Sequence, residues 1–290
     1  MIIVQLKGGL GNQLFQYAAG LSLATYHNVP LKVDISELKA PDEEIGTLRH
    51  FELQYLVKTP AIAVDKEIKE LTDQNPFFKY YQKFLPSFKR KIYNEKKFAY
   101  DVNFFKSGPH TYLKGYRQSE KYFLLIRKEI RNILQFKPDV IKNVAEFGLQ
   151  LKVIDSVSIH IRHGDYMNPA LQNYHGIIPL AYYENAIRKI TATLQNPVFF
   201  VFSDNINWVK KNLQLPSTAI FVSDNISQDH YEDFFLMSQC KHNIIANSSF
   251  SWWAAWLNEN PGKIVIAPER WFGNAQNNTR DLIPPNWVKL

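Results

Sequence analysis

Two patterns of apolar positions divide this chain. In the second half, short apolar runs alternate with stretches in which apolar residues recur every three to four positions. The runs at residues 157–161, 198–202, 220–222, 243–246 and 263–267 predict strands. The stretches at about 180–194, 206–213, 228–239 and 251–258 predict helices. Strands alternating with helices imply an α/β fold with a parallel sheet covered on both faces. The first half opens in the same way. Residues 2–6 predict a strand, Gly8, Gly9 and Gly11 a tight turn, residues 13–26 a helix, and residues 31–35 a second strand. In that helix Leu14, Ala18, Leu21 and Thr25 are spaced to share a face. The following hundred residues are less regular. Residues 112–115 are expected to rejoin the first sheet, and Ser119 to cap a helix running to about residue 135. The pattern changes near residues 138–150, which divides the chain into expected domains at 1–148 and 149–290.

Each apolar run of the second half leads directly into polar residues: HIRHGD, SDN, SDN, NSSFS and PERW. In doubly wound sheets ligands bind beyond the carboxyl ends of the strands, so these segments are where a site is expected.

Composition narrows the class. A chain of 290 residues accommodates two domains, and 46% hydrophobic with 21% charged residues is a globular composition. The 15 Tyr, 20 Phe and 6 Trp suit both a core and a carbohydrate site. The single cysteine, Cys240, rules out an intramolecular disulfide and a thiolate metal cluster, and fits a reducing compartment. The first residues lack the pattern of a signal peptide, and no apolar stretch reaches the roughly 18 residues of a membrane span. A cytoplasmic protein is the expectation.

Net charge is +7, and much of the excess lies in KYYQKFLPSFKRKIYNEKKF, which begins at Lys79 and has its last lysine at Lys97. Such a run is a nucleic-acid patch, a surface that rests on anionic lipid, or a solvated helical pair. No nucleic-acid module is recognisable, so nucleic acid is not an expected partner. Contact with a membrane or a lipid-linked glycan is the functional reading of this segment.

Three segments carry candidate chemistry. Gly9-Leu10-Gly11 followed by Leu14 matches two of the three glycines of G-x-G-x-x-G, with Asp34 at the distance of a ribose-binding acid. This leaves open a nicotinamide- or flavin-dependent oxidoreductase, or a turn that offers helix amides to an anion. In His160-Ile161-Arg162-His163-Gly164-Asp165, strand alternation puts His160 and Arg162 on one face. The guanidinium of Arg162 suits a diphosphate, although an Arg162–Asp165 ion pair closing the strand is the plainer reading. In Asn247-Ser248-Ser249-Phe250-Ser251, small hydroxyl residues precede an apolar helix. They serve as its cap or as an anion cradle, while Trp252, Trp253 and Trp256 pack. Ser203-Asp204-Asn205 and Ser223-Asp224-Asn225 add carboxylates, for base or ribose recognition or for helix capping. D-x-D, G-x-x-x-x-G-K-[ST], H-E-x-x-H and G-x-S-x-G are all absent.

GGLGNQLFQYA, YLKGYRQSEKYF, HIRHGDY, FSDN and NSSFSWWAAWLN together resemble, in order, the motif series of glycosyltransferase family 11, which contains the bacterial α-1,2-fucosyltransferases. The resemblance implies a GT-B fold: two Rossmann-like domains with a cleft between them, acceptor side N-terminal and GDP-fucose-binding side C-terminal. It implies inverting, metal-independent transfer of L-fucose from GDP-β-L-fucose to the 2-hydroxyl of a galactoside, without cofactor. By the same resemblance Arg162 holds the β-phosphate, and His160, Ser203 and Asp204 lie near the nucleoside. Asn247, Ser248, Ser249, Phe250 and Ser251 form the turn beside the diphosphate. Gly9, Gly11, Asn12 and Gln13 reach the donor from the N-terminal domain, and Gln118, Glu120 and Tyr166 contact the acceptor. Asp165 is the expected base, with His160 as the other candidate. His163 stands where the family often has Arg, and Arg117 where it often has Trp. A fucosyltransferase of other regiochemistry and a non-catalytic binder of carbohydrate or lipid surfaces remain alternatives.

Overall fold

The computed structural model describes residues 1–39, 48–72, 75–164, 176–223, 225–273 and 278–290. They form two compact units, residues 1–135 with 277–284, and residues 136–276 with 285–290.

The first unit is built on a four-stranded parallel sheet. Its elements are β1 (Ile2–Gln5), α1 (Leu10–His27), β2 (Leu31–Asp34), α2 (Asp65–Thr72), α3 (Pro76–Phe84), β3 (Ile92–Asn94), β4 (Thr111–Lys114) and α4 (Arg127–Ile133). The sheet order is β2-β1-β4-β3. β1 lies between two neighbours, and Ile2, Ile3 and Val4 are all buried, as an unbroken apolar run in a parallel sheet requires. The expected return of residues 112–115 to this sheet is β4, which pairs with β1. β3 was not legible, because three residues inside a basic run carry no periodicity.

Two expectations for this unit are corrected. α1 is buried nearly all round, and its expected face fails at Thr25, which is exposed; only Leu14 and Ala18 of that set are fully enclosed. A helix covered on several sides has no single apolar stripe for periodicity to find. After Ser119 there is no continuous helix. Ser119 does cap, accepting from Lys121 N, but only the 3₁₀ turn Glu120–Tyr122 follows. A second 3₁₀ turn, Leu124–Ile126, then leads into α4. Tyr122 and Phe123 are adjacent and both buried, which one helix face cannot achieve, and at Phe123 the backbone leaves helical values (φ −138°, ψ 11°).

The second unit contains α5 (Pro138–Ile141), α6 (Ala145–Val153), β5 (Ser156–Ile161), α7 (Leu180–Thr193), β6 (Val198–Ser203), α8 (Ile206–Asn212), β7 (Ile220–Phe221), α9 (His230–Gln239), β8 (His242–Ile244), α10 (Ser249–Leu257), β9 (Val265–Ala267) and β10 (Val288–Lys289). Its parallel sheet has the order β10-β9-β8-β5-β6-β7. Each strand and helix expected here is present within a few residues; β10 adds a short edge strand. β5 is central and fully buried, and Val157, Ile159, Phe199 and Val201 pack with Tyr183, Ala186 and Ile190 of α7. Trp252, Trp253 and Trp256 are buried along α10, so they are core residues, as expected. No helix among the described residues is long and apolar enough to cross a membrane.

Candidate active site

In the first unit the polar residues gather where β1 and β4 end. Gly8 has φ +77°, a left-handed value that suits glycine, and a Cβ there would fall 2.6 Å from Asn12 Nδ2. The chain turns at Gly9, the N-cap of α1, and no side chain caps the helix among the described residues. The first amides of α1, around Gly11, thus lie at an uncapped N-terminus, the electropositive end of the helix.

Gln13 is fully buried. Its Nε2 donates to Gly8 O and His50 O, both at 2.8 Å, and its Oε1 accepts from Glu52 N at 3.0 Å. It therefore holds the turn from behind. Asn12 is only partly buried, and its Oδ1 accepts from Gln118 Nε2 at 2.7 Å. Two segments a hundred residues apart in sequence are joined by that bond. Glu120 opens the next turn and is partly exposed.

Arg117, adjacent to Gln118, is buried inside the unit. It adopts φ +51°, donates from Nη2 to Tyr93 O at 2.9 Å, and lies over the rings of Tyr93 (4.8 Å), Phe104 (5.3 Å) and Tyr122 (5.9 Å). In place of a tryptophan, the chain has an arginine that packs as a flat, aromatic-like plate. Its charge faces Glu95, whose carboxylate accepts from Tyr116 N (2.7 Å) and Arg117 N (3.0 Å). Burial pushes the Glu95 carboxyl above its ordinary value, opposed by Arg117 and these two amides. Glu95 was missed in the sequence; the available signal was that it is the single acid in an otherwise basic run. Arg49 was missed as well, and its Nη1 stands 3.9 Å from where a Cβ on Gly9 would lie.

Asp34 does not offer itself to a ribose. It is buried, accepting from Tyr112 Oη and, at 2.9 Å, from Ser36 N. That removes the residue on which the oxidoreductase reading rested.

In the second unit the ends of β5, β6 and β8 converge. Arg162, just beyond β5, pairs through Nε with Asp204 Oδ2 at 3.2 Å, and both side chains keep about a quarter of their surface exposed (24% and 23%). Asp204 Oδ1 also accepts from His163 N (2.8 Å) and Gly164 N (2.9 Å). Burial would raise its pKa, but Arg162 and those amides hold the carboxyl below its ordinary value. The expected strand-closing partner, Asp165, lies outside the described residues, as do Tyr166 and Asp224. Asn205, rather than Asp204, caps α8, accepting from Trp208 N at 3.1 Å. The Ser203 hydroxyl accepts from Asn205 N at 3.0 Å.

His160 is buried and neutral. Desolvation, reinforced by Arg162 and opposed by Asp204, lowers its pKa to about 3. Its Nδ1 is buried with no hydrogen-bond partner among the described residues, and its ring packs 5.6 Å from that of Phe250. An imidazole so lowered is a weak base. His163 is buried and stacked on Trp208 at 3.8 Å.

Beyond β8, Asn247 is buried and donates to Gly176 O (3.2 Å) and Trp271 O (3.1 Å), so it ties two loops together. Ser248 caps α10, its Oγ accepting from Phe250 N at 3.3 Å. Ser248, Ser249 and Phe250 are partly exposed, while Ser251 is buried and donates to Ser248 O. An arginine, a neutral imidazole and a serine-capped helix N-terminus thus share one sheet edge, a set suited to an anionic phosphoryl group and a flat nucleoside. No group of three or more His, Cys, Asp or Glu residues could hold a metal ion among the described residues.

The whole chain, residues 1–290, matches the model of Glycosyl transferase family 11. It is 34% identical to an alpha-1,2-colitosyltransferase of Escherichia coli, over 100% of this chain and 99% of that protein. It is equally 34% identical to the O-antigen biosynthesis glycosyltransferase WbnK of Escherichia coli, over 98% and 99%. With rabbit (Oryctolagus cuniculus) galactoside alpha-(1,2)-fucosyltransferase 2 it shares 27% identity over 60% of this chain and 56% of that protein. Among solved structures it is similar to the fucosyltransferase NodZ from Bradyrhizobium, with a TM-score of 0.52 and 14% identity over 87% and 91% of the two chains. The fold is of the GT-B type. The chain belongs to glycosyltransferase family 11, and it is a glycosyltransferase.

Proposed function

We propose that the protein transfers L-fucose from GDP-β-L-fucose, with inversion and without a metal, to the 2-hydroxyl of a galactoside in a surface glycan or O-antigen. The observation that carries the donor half is Arg162, fixed by Asp204 on the sheet edge that also holds His160 and the N-terminus of α10. The fucosyl and α-1,2 parts are supported by the similarity to the rabbit enzyme, and the O-antigen setting by the similarity to WbnK.

In this reading the second unit takes GDP, with Asn12 as a further donor contact, and Gln118, Glu120 and Tyr166 meet the acceptor. The acceptor oxygen attacks C1 of fucose as the bond from C1 to the β-phosphate oxygen breaks. Negative charge then grows on the departing GDP, where Arg162 and the α10 amides around Ser249 meet it. The acceptor proton passes to the Asp165 carboxylate. The enzyme works in the cytoplasm, where sugar nucleotides are made.

A second donor is favoured by the 34% identity to a colitosyltransferase. Colitose is fucose without its 3-hydroxyl, so the same grip on GDP serves both sugars. The test is GDP release from GDP-fucose and from GDP-colitose, each with and without β-galactosides, the product linkage being read by NMR. Acceptor-dependent release from GDP-fucose with a new α-1,2 signal is expected. Release from GDP-colitose alone transfers the assignment to that sugar, and binding of neither donor ends the reading.

A further inference from the structure

Helix α3 presents an aromatic stripe outward. Its aromatic residues Phe77, Tyr80, Tyr81 and Phe84 follow the i, i+3, i+4, i+7 spacing of an apolar stripe, which ordinarily faces a core. Here the stripe faces out: Phe77 is 81% exposed, Tyr80 62%, Tyr81 53% and Phe84 70%. Among the residues of α3 whose side chains are described, the buried one is polar. Gln82 is buried and its Oε1 accepts from Lys91 N at 3.0 Å. Arg90 fixes the end of the helix, donating from Nε to Leu85 O (2.9 Å) and from Nη2 to Lys83 O (2.8 Å). The outward orientation is therefore built by specific bonds. The rings of Tyr80 and Phe84 touch edge to face at 5.1 Å.

The charge that follows it along the chain is nearly all of one sign. Between Pro76 and Phe98 the sequence holds Lys79, Lys83, Lys89, Arg90, Lys91, Lys96 and Lys97 against a single acid, Glu95. That acid is occupied by the amides of Tyr116 and Arg117. Lys83, Lys89, Lys96 and Lys97 are exposed. Four exposed rings on one helix face are costly in water, and a surrounding field of lysines does not attract an ordinary protein core. Aromatic side chains beside lysines are instead the composition of a helix lying in the headgroup layer of an anionic bilayer, with rings among the acyl-chain ends and ammonium groups at the phosphates.

We propose that α3 is a membrane-docking helix, with Phe77, Tyr80, Tyr81 and Phe84 as its inserted face and anionic phospholipid as its partner. The sequence pointed to the basic residues from Lys79 to Lys97. The structure moves the emphasis to the aromatic stripe, with the lysines as its electrostatic surround. The assignment holds whichever sugar the enzyme transfers, and it places the protein at a surface where glycans are built on lipid carriers.

The test is flotation of the full-length protein with vesicles of phosphatidylcholine alone and of phosphatidylcholine with about 30% phosphatidylglycerol. Binding to the anionic vesicles only, weakening as salt is raised, is expected. The double variant Phe77→Ser, Phe84→Ser should lose at least about tenfold in vesicle affinity while keeping its thermal midpoint and its rate on a soluble acceptor. A second readout does not depend on how that variant folds. Cys240 is fully buried, so a Phe77→Cys protein takes a thiol-reactive environment-sensitive dye at one place, and its emission should shift to the blue on anionic vesicles. Absence of vesicle binding, or a dye that does not respond, overturns the proposal. A dimer in light scattering that the double variant dissociates, with no vesicle binding, assigns the stripe to a second copy of the chain and equally overturns it.

Discussion

Asp204, one residue past β6, holds Arg162, one residue past β5, through Nε at 3.2 Å, while its other oxygen takes the amides of His163 and Gly164. One carboxylate therefore sets the direction of the guanidinium and the path of the backbone that leaves β5. The pairing crosses between neighbouring parallel strands in register, Ile161 opposite Ser203, which brings the two strand exits side by side. Such an arrangement pre-orients a cation for an anionic ligand.

Replacing Arg162 by Ala is expected to reduce transfer by about 10² to 10³, since a charge-stabilising donor is lost at the leaving group. Asp204→Asn keeps the guanidinium but weakens its tether, and should raise the KM for the sugar nucleotide with a smaller effect on kcat. Steady-state rates with intact circular dichroism check both. An Arg162→Ala protein of near-normal rate would sink the diphosphate role.

His160 predicts an acid limb in the stability curve. Its native pKa of about 3 lies below the ordinary value of about 6.5, so the unfolded chain binds the extra proton first. Its contribution is complete above about pH 6.5 and is lost as pH falls toward 3. Urea unfolding of wild type and His160→Gln between those values should show a shallower slope in the variant; parallel curves would mean that the imidazole is not held neutral.

The bond from Gln118 to Asn12 predicts non-additivity. Asn12→Ala and Gln118→Ala should each lower transfer, and the double variant should lose less than the sum, with a coupling of about 0.5–3 kcal/mol. Strict additivity in the cycle would show that the two residues act separately.

Arg117 is a packing residue whose charge also opposes the desolvation of the Glu95 carboxyl. Arg117→Met should destabilise the protein by about 1–3 kcal/mol, since the Glu95 carboxylate loses the charge that opposes its desolvation. Adding Glu95→Gln should recover part of that in a denaturant titration, because the uncompensated charge is then gone.

Transfer should be unchanged in excess EDTA, since Arg162 and the α10 N-terminus supply the charge stabilisation assigned to the site. Loss of activity restored by a divalent cation would transfer that task to a metal.

The second unit was readable because its strands are apolar runs of their own length, each followed by polar residues at one sheet edge. Parallel topology then brings HIRHGD, FSDN and NSSFS together without further information. The first unit was less readable. β3 is three residues long, α1 is buried on most sides, and the helix expected after Ser119 is broken to bury both Tyr122 and Phe123. Gln13 and Asn12 are neighbours of the same polar class. Only the fold makes one a fully buried brace and leaves the other partly exposed beside Gln118.

By itself the sequence determined the class of fold, the order of strands and helices in the second half, and the polar segments that leave the strands at one sheet edge. These follow from local periodicity and from the rule that ligands meet parallel strands at their carboxyl ends. The tertiary structure decided partners and directions: that Arg162 is held by Asp204, that Arg117 lies in an aromatic box, and that α3 turns its rings outward. Spacing along a helix defines a stripe, but which way it faces depends on contacts outside the helix, such as Gln82 with Lys91 nine residues on, just as Asn12 finds Gln118 across 106 residues. Local pattern carries no record of those contacts, because each is chosen only when the chain closes on itself.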